Sequence, residues 1–281
     1  MKVSAIIPFY RHAACIERAV DSVWKQTVRP EETIIVNDGS TSAGSSALKR
    51  LAHTYEGLKI VDLDTNMGPG KARNVGWDFA RGDYLAFLDA DDTWHPQKTA
   101  VQLEWFRRHP DAHLICGESV FIQSASQVER DIAPCSCYQL RPIDLLLHNP
   151  VSTRTVMLRK DIDLRFAEHK RNSEDYQLYL TAVLKDFKFY FCQARLAYCF
   201  KSEFGDGGLS ARLAPAHRGH VDTLRRIRIQ GLMPPHLYLT LRLLAQLKYY
   251  RRRLFVRLGI NRRTKPMGLA LKPYIPFFRF K

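Results

Sequence analysis

The chain has 281 residues, 46% of them hydrophobic, so it can bury the core of one large domain or of one domain with an appendage. No run approaches the roughly 18 uninterrupted apolar residues of a membrane-spanning helix, and the first eight residues lack the apolar core of a signal peptide. The sequence therefore predicts a soluble protein without spanning helices that resides in the cytoplasm.

The net charge of +15 is distributed unevenly. Residues 212–281 hold 17 of the 43 Lys and Arg residues but only one of the 28 acidic residues, Asp222. The first 211 residues are near neutral, with 26 basic against 27 acidic residues. A basic block of this kind usually meets an anionic surface, either nucleic acid or acidic phospholipid headgroups.

The six cysteines show no repeated Cys-x-x-Cys spacing, and the only close pair is Cys135 and Cys137. A structural zinc site needs four well-spaced ligands, and a cytoplasmic redox poise disfavours disulfides. We therefore expect reduced thiols that bind no metal.

Short apolar stretches alternate with helical patterns over the first hundred residues. The predicted strands are 3–8, 33–36, 58–63 and 84–88, and the predicted helices between them are 14–26, 45–55 and 71–80. Farther along, the patterns predict helices at 101–108 and 175–185 and strands at 113–121 and 152–158. This alternation favours an α/β fold with a single mostly parallel sheet flanked by helices.

Three short segments lie at or just past the carboxyl ends of predicted strands. Pro8 to Tyr10 follow the first, Asn37-Asp38-Gly39-Ser40 the second, and Asp89-Ala90-Asp91-Asp92 the fourth. In an open α/β sheet the carboxyl ends of the strands line the ligand crevice, so we expect these three segments to meet there.

The acidic run Asp89-Ala90-Asp91-Asp92 puts three carboxylates into four residues. Adjacent like charges repel and resist desolvation, and a divalent cation such as Mg²⁺ or Mn²⁺ removes that penalty through oxygen ligands and substrate phosphates. The alternative is a solvated acidic turn that caps the next helix, with Asp92 or Thr93 as the cap.

Two further segments bear on this choice. Residues 66–74 join glycines to Lys71 and Arg73 at a helix start, which suits an anionic phosphate. The pair Glu174-Asp175 precedes a helix, where it is either an acid–base group or a capping pair in the first turn.

Five stretches, in this order, resemble glycosyltransferase family 2. They are SAIIPFY at 4–10, AVDSVWKQT at 19–27, IIVNDGS at 34–40, NMGPGKARNVG at 66–76 and FLDADD at 87–92. The resemblance covers roughly residues 3–210 and implies the GT-A fold. It also implies an inverting hexosyltransferase that acts in bacterial surface-polysaccharide synthesis, on lipopolysaccharide, capsule or exopolysaccharide.

The resemblance also implies residue roles. Pro8 and Tyr10 would shape the uridine pocket, Asp38 would hydrogen-bond the base, and Arg73 would face the nucleotide. Asp89 and Asp91 would contact the ribose and a diphosphate-bound Mn²⁺ or Mg²⁺, with Asp91 as the direct ligand. Asp175 would be the catalytic base. The donor would be a nucleotide sugar, most simply a UDP-sugar, and the acceptor a glycan or lipid-linked glycan.

The same resemblance divides the chain into three parts. Residues 1–100 would form the nucleotide-sugar-binding half of the GT-A domain, and residues 101–211 the acceptor-binding half. Residues 212–281 would form a basic C-terminal extension.

The extension contains an amphipathic basic pattern from about residue 236 to 258, followed by aromatics between cations at 272–281. This pattern favours an anchor on an anionic membrane surface, which would place the protein peripherally on the cytoplasmic face of the inner membrane. The alternative is a helix packed on the catalytic domain with a solvated basic face. Nucleic acid is the less favoured partner.

Two other functions fit parts of this pattern. A sugar nucleotidyltransferase also uses an α/β fold and metal-binding carboxylates, but it would need an early glycine-rich basic loop, which the residues after Pro8 lack. A non-catalytic protein could bind lipid or nucleic acid through the basic extension and carry the acidic run without using it.

Overall fold

The computed structural model of the chain describes residues 1–133, 135–200 and 213–257. Its strands are β1 (Val3–Phe9), β2 (Glu32–Asp38), β3 (Leu58–Leu63), β4 (Tyr84–Phe87), β5 (Thr93–Trp94), β6 (Leu114–Phe121), β7 (Cys137–Gln139), β8 (Met157–Arg159) and β9 (Phe189–Cys199). Its α-helices are α1 (Ile16–Trp24), α2 (Ser42–Thr54), α3 (Pro69–Phe79), α4 (Lys98–Arg108), α5 (Pro142–Leu147), α6 (Glu174–Leu184), α7 (Leu213–Ile229) and α8 (Pro235–Arg257).

These strands form one sheet in the order β3-β2-β1-β4-β8-β6-β9-β5, and β7 pairs with β9. The half from β3 to β4 is parallel, as the alternation of strands and helices predicts. Beyond β4 the directions are mixed, because β8 runs antiparallel to both β4 and β6, whereas β6 and β9 are parallel. The predicted α/β class is confirmed, and the parallel character belongs to the N-terminal half.

Successive residues of the central strands contribute their side chains alternately to two hydrophobic layers, one on each face of the sheet. Ile6, Ile34 and Phe87 face one layer, while Ile7 and Ile35 face the other. This period of two follows from the pleat, which points successive side chains to opposite faces. Apolar residues therefore occur at nearly every position of the central strands, because helices cover both faces of the sheet.

Most predicted elements are confirmed within a few residues. The segment 152–158 is a 3₁₀ turn at Thr153–Thr155 followed by the short strand β8. The long strand β9 and the helix α7 have no counterpart among the predicted elements, and neither do the short elements β5, β7 and α5.

The described part of the basic extension packs into the same hydrophobic core as the N-terminal strands. Leu224 and Ile227 of α7 and Tyr238 and Leu241 of α8 are buried in the layer that contains Ile6. Residues 201–212 and 258–281, including the aromatic segment 272–281, lie outside the described residues. The division into parts at residues 100 and 211 stays a prediction.

Substitution of Gly39 tests how closely the loop after β2 packs against the loop that contains Asn66. It has φ +65°, and an added Cβ would lie 2.6 Å from the backbone of Asn66. Gly57 has φ +80° but no atom within 4 Å of the same position. We expect Gly57→Ala to lower the free energy of unfolding by about 1 kcal/mol through backbone strain alone. Gly39→Ala should cost about 1–3 kcal/mol more, because the neighbouring backbone must shift.

Denaturant unfolding of the two variants measures both effects. Equal losses at the two sites would contradict the close approach of the two loops.

Candidate active site

The carboxyl ends of three neighbouring parallel strands meet at one edge of the sheet. Phe9 at the end of β1 pairs with Asn37 of β2, and Ile6 pairs with Phe87 at the end of β4. The segments that follow these strands therefore line a common crevice, as expected from the sequence. Pro8 and Tyr10 are half-buried there.

Asp38 is buried, and the protein itself engages its carboxylate. Oδ1 accepts a hydrogen bond from the Met67 backbone N–H at 2.6 Å, and Oδ2 accepts from the Gly68 N–H at 2.9 Å and from the Asn66 side-chain amide at 3.0 Å. These hydrogen bonds fix the loop 66–68 against the end of β2. The expected hydrogen bond from Asp38 to a nucleotide base stays a prediction.

Two arginines neutralise the acidic turn after β4. Arg73 Nη2 donates to Asp89 Oδ1 at 2.8 Å, and Arg154 Nε lies 4.0 Å from Asp89 Oδ2 and 2.9 Å from Asp92 Oδ2. Burial alone would raise the pKa of the Asp89 carboxyl, but the two guanidinium groups outweigh burial and hold that pKa below its usual value. Asp89 is therefore ionised at neutral pH.

The Glu174-Asp175 pair begins α6 directly opposite this turn. Ser173, the residue before the helix, has φ +60°, a left-handed conformation that non-glycine residues seldom adopt. Glu174 is buried, and its Oε1 accepts a hydrogen bond from Arg73 Nη1 at 2.8 Å. Asp175 is half-buried, and its Oδ2 accepts from the Thr153 hydroxyl at 2.9 Å.

Arg73 joins the two acidic motifs. Its side chain is only 5% exposed, and its guanidinium group lies between Asp89 and Glu174, which are 16 and 101 positions away in sequence. The expectation that Arg73 faces the nucleotide stays a prediction. Burial raises the pKa of the Glu174 carboxyl, and the nearby Asp175 raises it further, although Arg73 opposes both.

The acidic turn has the donor chemistry for a hard divalent cation. Asp91 is partly exposed at the mouth of the crevice, and carboxylate oxygens are the ligands that Mg²⁺ and Mn²⁺ prefer. Asp89 is ionised and close by in the chain, but both of its oxygens face arginines. The carboxylates of the acidic turn therefore have the chemistry to hold a divalent cation, and Asp91 and Asp89 stay its predicted ligands.

Sequence reasoning missed two residues of this site. Thr153 and Arg154 lie in the 3₁₀ turn before β8, and they contact Asp175 and the acidic turn respectively. No local motif marks them, because their contacts are made only when β8 pairs with β4. The one charged residue between Val151 and Leu158, Arg154, was the only available signal.

Comparison of the amino-acid sequence with known families identifies the family of this chain. The model of the family described as glycosyl transferase family 2 matches residues 4–164. The amylovoran biosynthesis glycosyltransferase AmsB of Erwinia amylovora is 31% identical over 217 residues, covering 72% of this chain and 71% of that protein. The putative teichuronic acid biosynthesis glycosyltransferase TuaG of Bacillus subtilis is 33% identical over 190 residues, covering 67% and 74%.

A further relative carries a name that states its donor and acceptor. It is the UDP-Glc:alpha-D-GlcNAc-diphosphoundecaprenol beta-1,3-glucosyltransferase WfgD of Escherichia coli. The two proteins are 28% identical over 184 residues, which covers 66% of this chain and 70% of that protein.

Two solved structures share the fold. S. aureus TarS 1-349 in complex with UDP-GlcNAc aligns with a TM-score of 0.61 and 20% identity, covering 81% of this chain and 66% of that one. The mannosyltransferase PcManGT from Pyrobaculum calidifontis, in complex with GDP-Man and Mn²⁺, aligns with a TM-score of 0.65 and 17% identity, covering 94% and 76%. With a family model that spans more than half of the sequence and a fold shared with sugar-nucleotide enzymes, the chain belongs to glycosyl transferase family 2.

Proposed function

We propose that this glycosyltransferase moves a sugar from a nucleoside-diphosphate donor, most simply a UDP-sugar, to a hydroxyl of a glycan or lipid-linked acceptor, with inversion at the anomeric carbon. The observation that carries the proposal is the Arg73 bridge, which brings the acidic turn at Asp89 and the pair Glu174-Asp175 to one crevice. The names of the relatives support a role in surface-polysaccharide synthesis.

Asp175 is the proposed base. An acceptor hydroxyl is a poor nucleophile at neutral pH and needs a carboxylate within hydrogen-bond reach. The proton moves from the acceptor oxygen to Asp175 as that oxygen bonds to the anomeric carbon, and the bond from that carbon to the donor phosphate oxygen breaks with its electron pair. The hydrogen bond from Thr153 orients the carboxylate for this task.

The leaving group needs positive charge. Arg154, next to the acidic turn, is the cation of this chain best placed to stabilise the departing nucleoside diphosphate. A divalent cation bound through Asp91 and Asp89 would supply further charge stabilisation there. Pro8 and Tyr10 remain the proposed walls of the nucleoside pocket, and Asp38 shapes that pocket through the loop it fixes.

The membrane is the proposed location of the acceptor. Five apolar side chains of α8, each 53–62% exposed, follow one another at spacings of three and four residues: Leu239, Leu243, Leu247, Tyr250 and Leu254. At roughly 3.6 residues per turn they form one stripe on the side opposite the buried Leu241 and Ala245. We call this the α8 stripe.

Cations border the α8 stripe on both sides. On the helical projection Arg242 and Arg253 lie along one border and Arg251 along the other. An apolar stripe between cations is the arrangement of a helix that lies in the headgroup region of an anionic bilayer. Within the described residues no helix is long and apolar enough to cross the membrane. Peripheral attachment to the cytoplasmic face of the inner membrane is therefore the proposed location.

Two carboxylate substitutions should separate the donor site from the base. Asp91→Asn is expected to weaken metal-dependent donor binding at least about tenfold, because it removes a charged oxygen ligand. Asp175→Asn should leave donor binding intact but reduce transfer by about a hundredfold or more, because it removes the general base. Calorimetry with a nucleotide-sugar panel, with Mn²⁺ or with chelator, measures binding, and release of nucleoside diphosphate measures turnover.

Asp163→Asn, at an exposed carboxylate outside the crevice, is the matched control and should change neither quantity. The proposed function would be wrong if no nucleotide sugar in the panel bound. The assignment of the base would be wrong if Asp175→Asn turned over donor and acceptor at the normal rate.

Substitution of the α8 stripe should release the protein from membranes. Leu239→Gln, Leu243→Gln and Leu247→Gln together should lower binding to anionic phospholipid vesicles at least about tenfold, since each buried leucine contributes on the order of 1.5 kcal/mol or more. Vesicle sedimentation measures the bound fraction. The control replaces Val28, Phe79 and Phe121, exposed apolar residues on other elements, with Gln and should bind normally. Equal binding by both triple variants would rule out the α8 stripe as the anchor.

A further inference from the structure

Three cysteines that lie far apart in sequence converge outside the crevice. The Sγ atoms of Cys135, Cys137 and Cys192 all lie within 4.8 Å of one another. The Sγ atoms of Cys135 and Cys192 are 2.9 Å apart. Cys192 is buried, and the other two are half-buried at the start of β7. The expectation of scattered thiols without a ligand did not foresee this cluster, because 54 residues separate Cys137 from Cys192 in the chain.

The pairing of β7 with β9 explains the convergence. Cys137 lies opposite Cys192 in an antiparallel ladder. The Gln193 N–H donates to Ser136 O at 2.9 Å, and the Leu140 N–H donates to Phe189 O at 2.7 Å. Bonded and non-bonded pairs alternate in such a ladder, so Cys137 and Cys192 form a non-hydrogen-bonded pair, the type with the closest side chains. Cys135, two residues earlier, points to the same face.

Ordinary core packing accounts for one buried thiol better than for three. A free cysteine packs as a small hydrophobe, and Cys192 alone would fit that role. Cys135 and Cys137 are half-buried, yet their sulfur atoms turn toward the same point as that of Cys192. Three converging thiolates are the ligand set that zinc and softer metals select. With Zn–S bonds of about 2.3 Å, tetrahedral ligands lie about 3.8 Å apart, a spacing that these sulfur atoms can reach with small shifts.

We propose that Cys135, Cys137 and Cys192 form a three-thiolate site for a borderline-soft divalent cation such as Zn²⁺. Binding converts each coordinating S–H to a thiolate and releases its proton to solvent. Among the residues that the structure describes, no His, Asp or Glu joins this group. Among these described residues, the fourth coordination position is open to a water molecule or a solute.

The site fastens a long surface loop to the sheet. The chain between β6 and β7 leaves the sheet after Phe121 and returns at Cys137. Elsewhere this loop is held by the ion pair of Glu129 with Arg195 and by the Ile132 N–H, which donates to Gln97 Oε1 at 2.7 Å. A metal bound by the cysteines would attach the C-terminal end of this loop to β9. The free energy of metal binding would then add to the stability of the folded protein.

The cysteine site is separate from the proposed donor site. Cys192 lies six residues before Tyr198, which pairs with Thr93 beside the acidic turn. β9 bulges over this stretch, so that Cys192 to Tyr198 pair with only Gly117 to Val120 of β6, an interval of about 10 Å along the sheet. The two sites share no ligand residue, so metal binding at the cysteines can be measured independently of sugar transfer.

Cd²⁺ and Zn²⁺ added singly to the reduced, chelator-treated full-length chain test the proposal. We expect Cd²⁺ to produce the ultraviolet charge-transfer absorption of a thiolate complex, with one equivalent per chain, and Zn²⁺ to raise Tm. Cys135→Ser changes a half-buried position, where the risk to folding is low, and should weaken metal binding at least about tenfold. Loss of a residue that only supports a metal ligand already lowers metal affinity by about that factor. Cys192→Ser should do the same.

Cys15→Ser is the matched control, because Cys15 is a half-buried thiol outside the cluster. This variant should keep both the Cd²⁺ absorption and the rise in Tm with Zn²⁺. Asp91→Asn should also keep the thiolate absorption, which separates this site from the carboxylates. The proposal would be overturned by absent thiolate absorption in the reduced wild-type chain, or by equal absorption in Cys135→Ser. A reduced chain that binds no metal but forms a disulfide on exposure to peroxide would likewise overturn it.

Discussion

The double ion pair of Arg73 is the interaction on which the candidate site depends. Its two carboxylate partners, Asp89 and Glu174, lie 85 positions apart in the chain, and each is 2.8 Å from a different nitrogen of one guanidinium group. A planar guanidinium with several donors can serve two carboxylates at once, which a lysine ammonium does less well. The position of the acidic turn relative to the pair Glu174-Asp175 is therefore fixed by one buried side chain.

Burial makes this arrangement sensitive to each of its members. Removal of one partner from a buried ion pair leaves an uncompensated charge, which is far more costly than the net contribution of the intact pair. Glu174 already resists ionisation because it is buried beside Asp175, and Arg73 is the group that opposes this. Asp175, the proposed base, is half-buried and accepts hydrogen bonds from the Thr153 hydroxyl and from the Tyr176 N–H.

The sequence predicted the parts of the site that local patterns encode. Strand ends followed by Asp38 and Asp89 are visible in the chain because each acid directly follows an apolar run, and the parallel half of the sheet brings them to one edge. The engagement of Asp38 by the loop 66–68 and the burial of Arg73 were not predictable from these patterns, because both arise from contacts between loops that come together only on folding.

The missed elements have similar causes. The strand β9 begins with four successive apolar or aromatic residues and then alternates, so neither period dominates its eleven residues. The helix α7 contains Pro215 and Gly219, which weaken a helical pattern, although Gly219 packs closely against Asn172. The convergence of the three cysteines needed the pairing of β7 with β9, which depends on β9 itself.

A double-mutant cycle on unfolding free energy tests most directly whether Arg73 joins the two motifs. Arg73→Met and Glu174→Gln should each destabilise the protein, Arg73→Met by about 3–5 kcal/mol because it leaves the buried Glu174 carboxylate without a cation and removes one of the two cations beside Asp89. The double variant should lose at least about 1 kcal/mol less than the sum of the single losses, because the two residues interact directly. Losses that add within about 0.5 kcal/mol would contradict the account, since additivity is the behaviour of residues that do not interact.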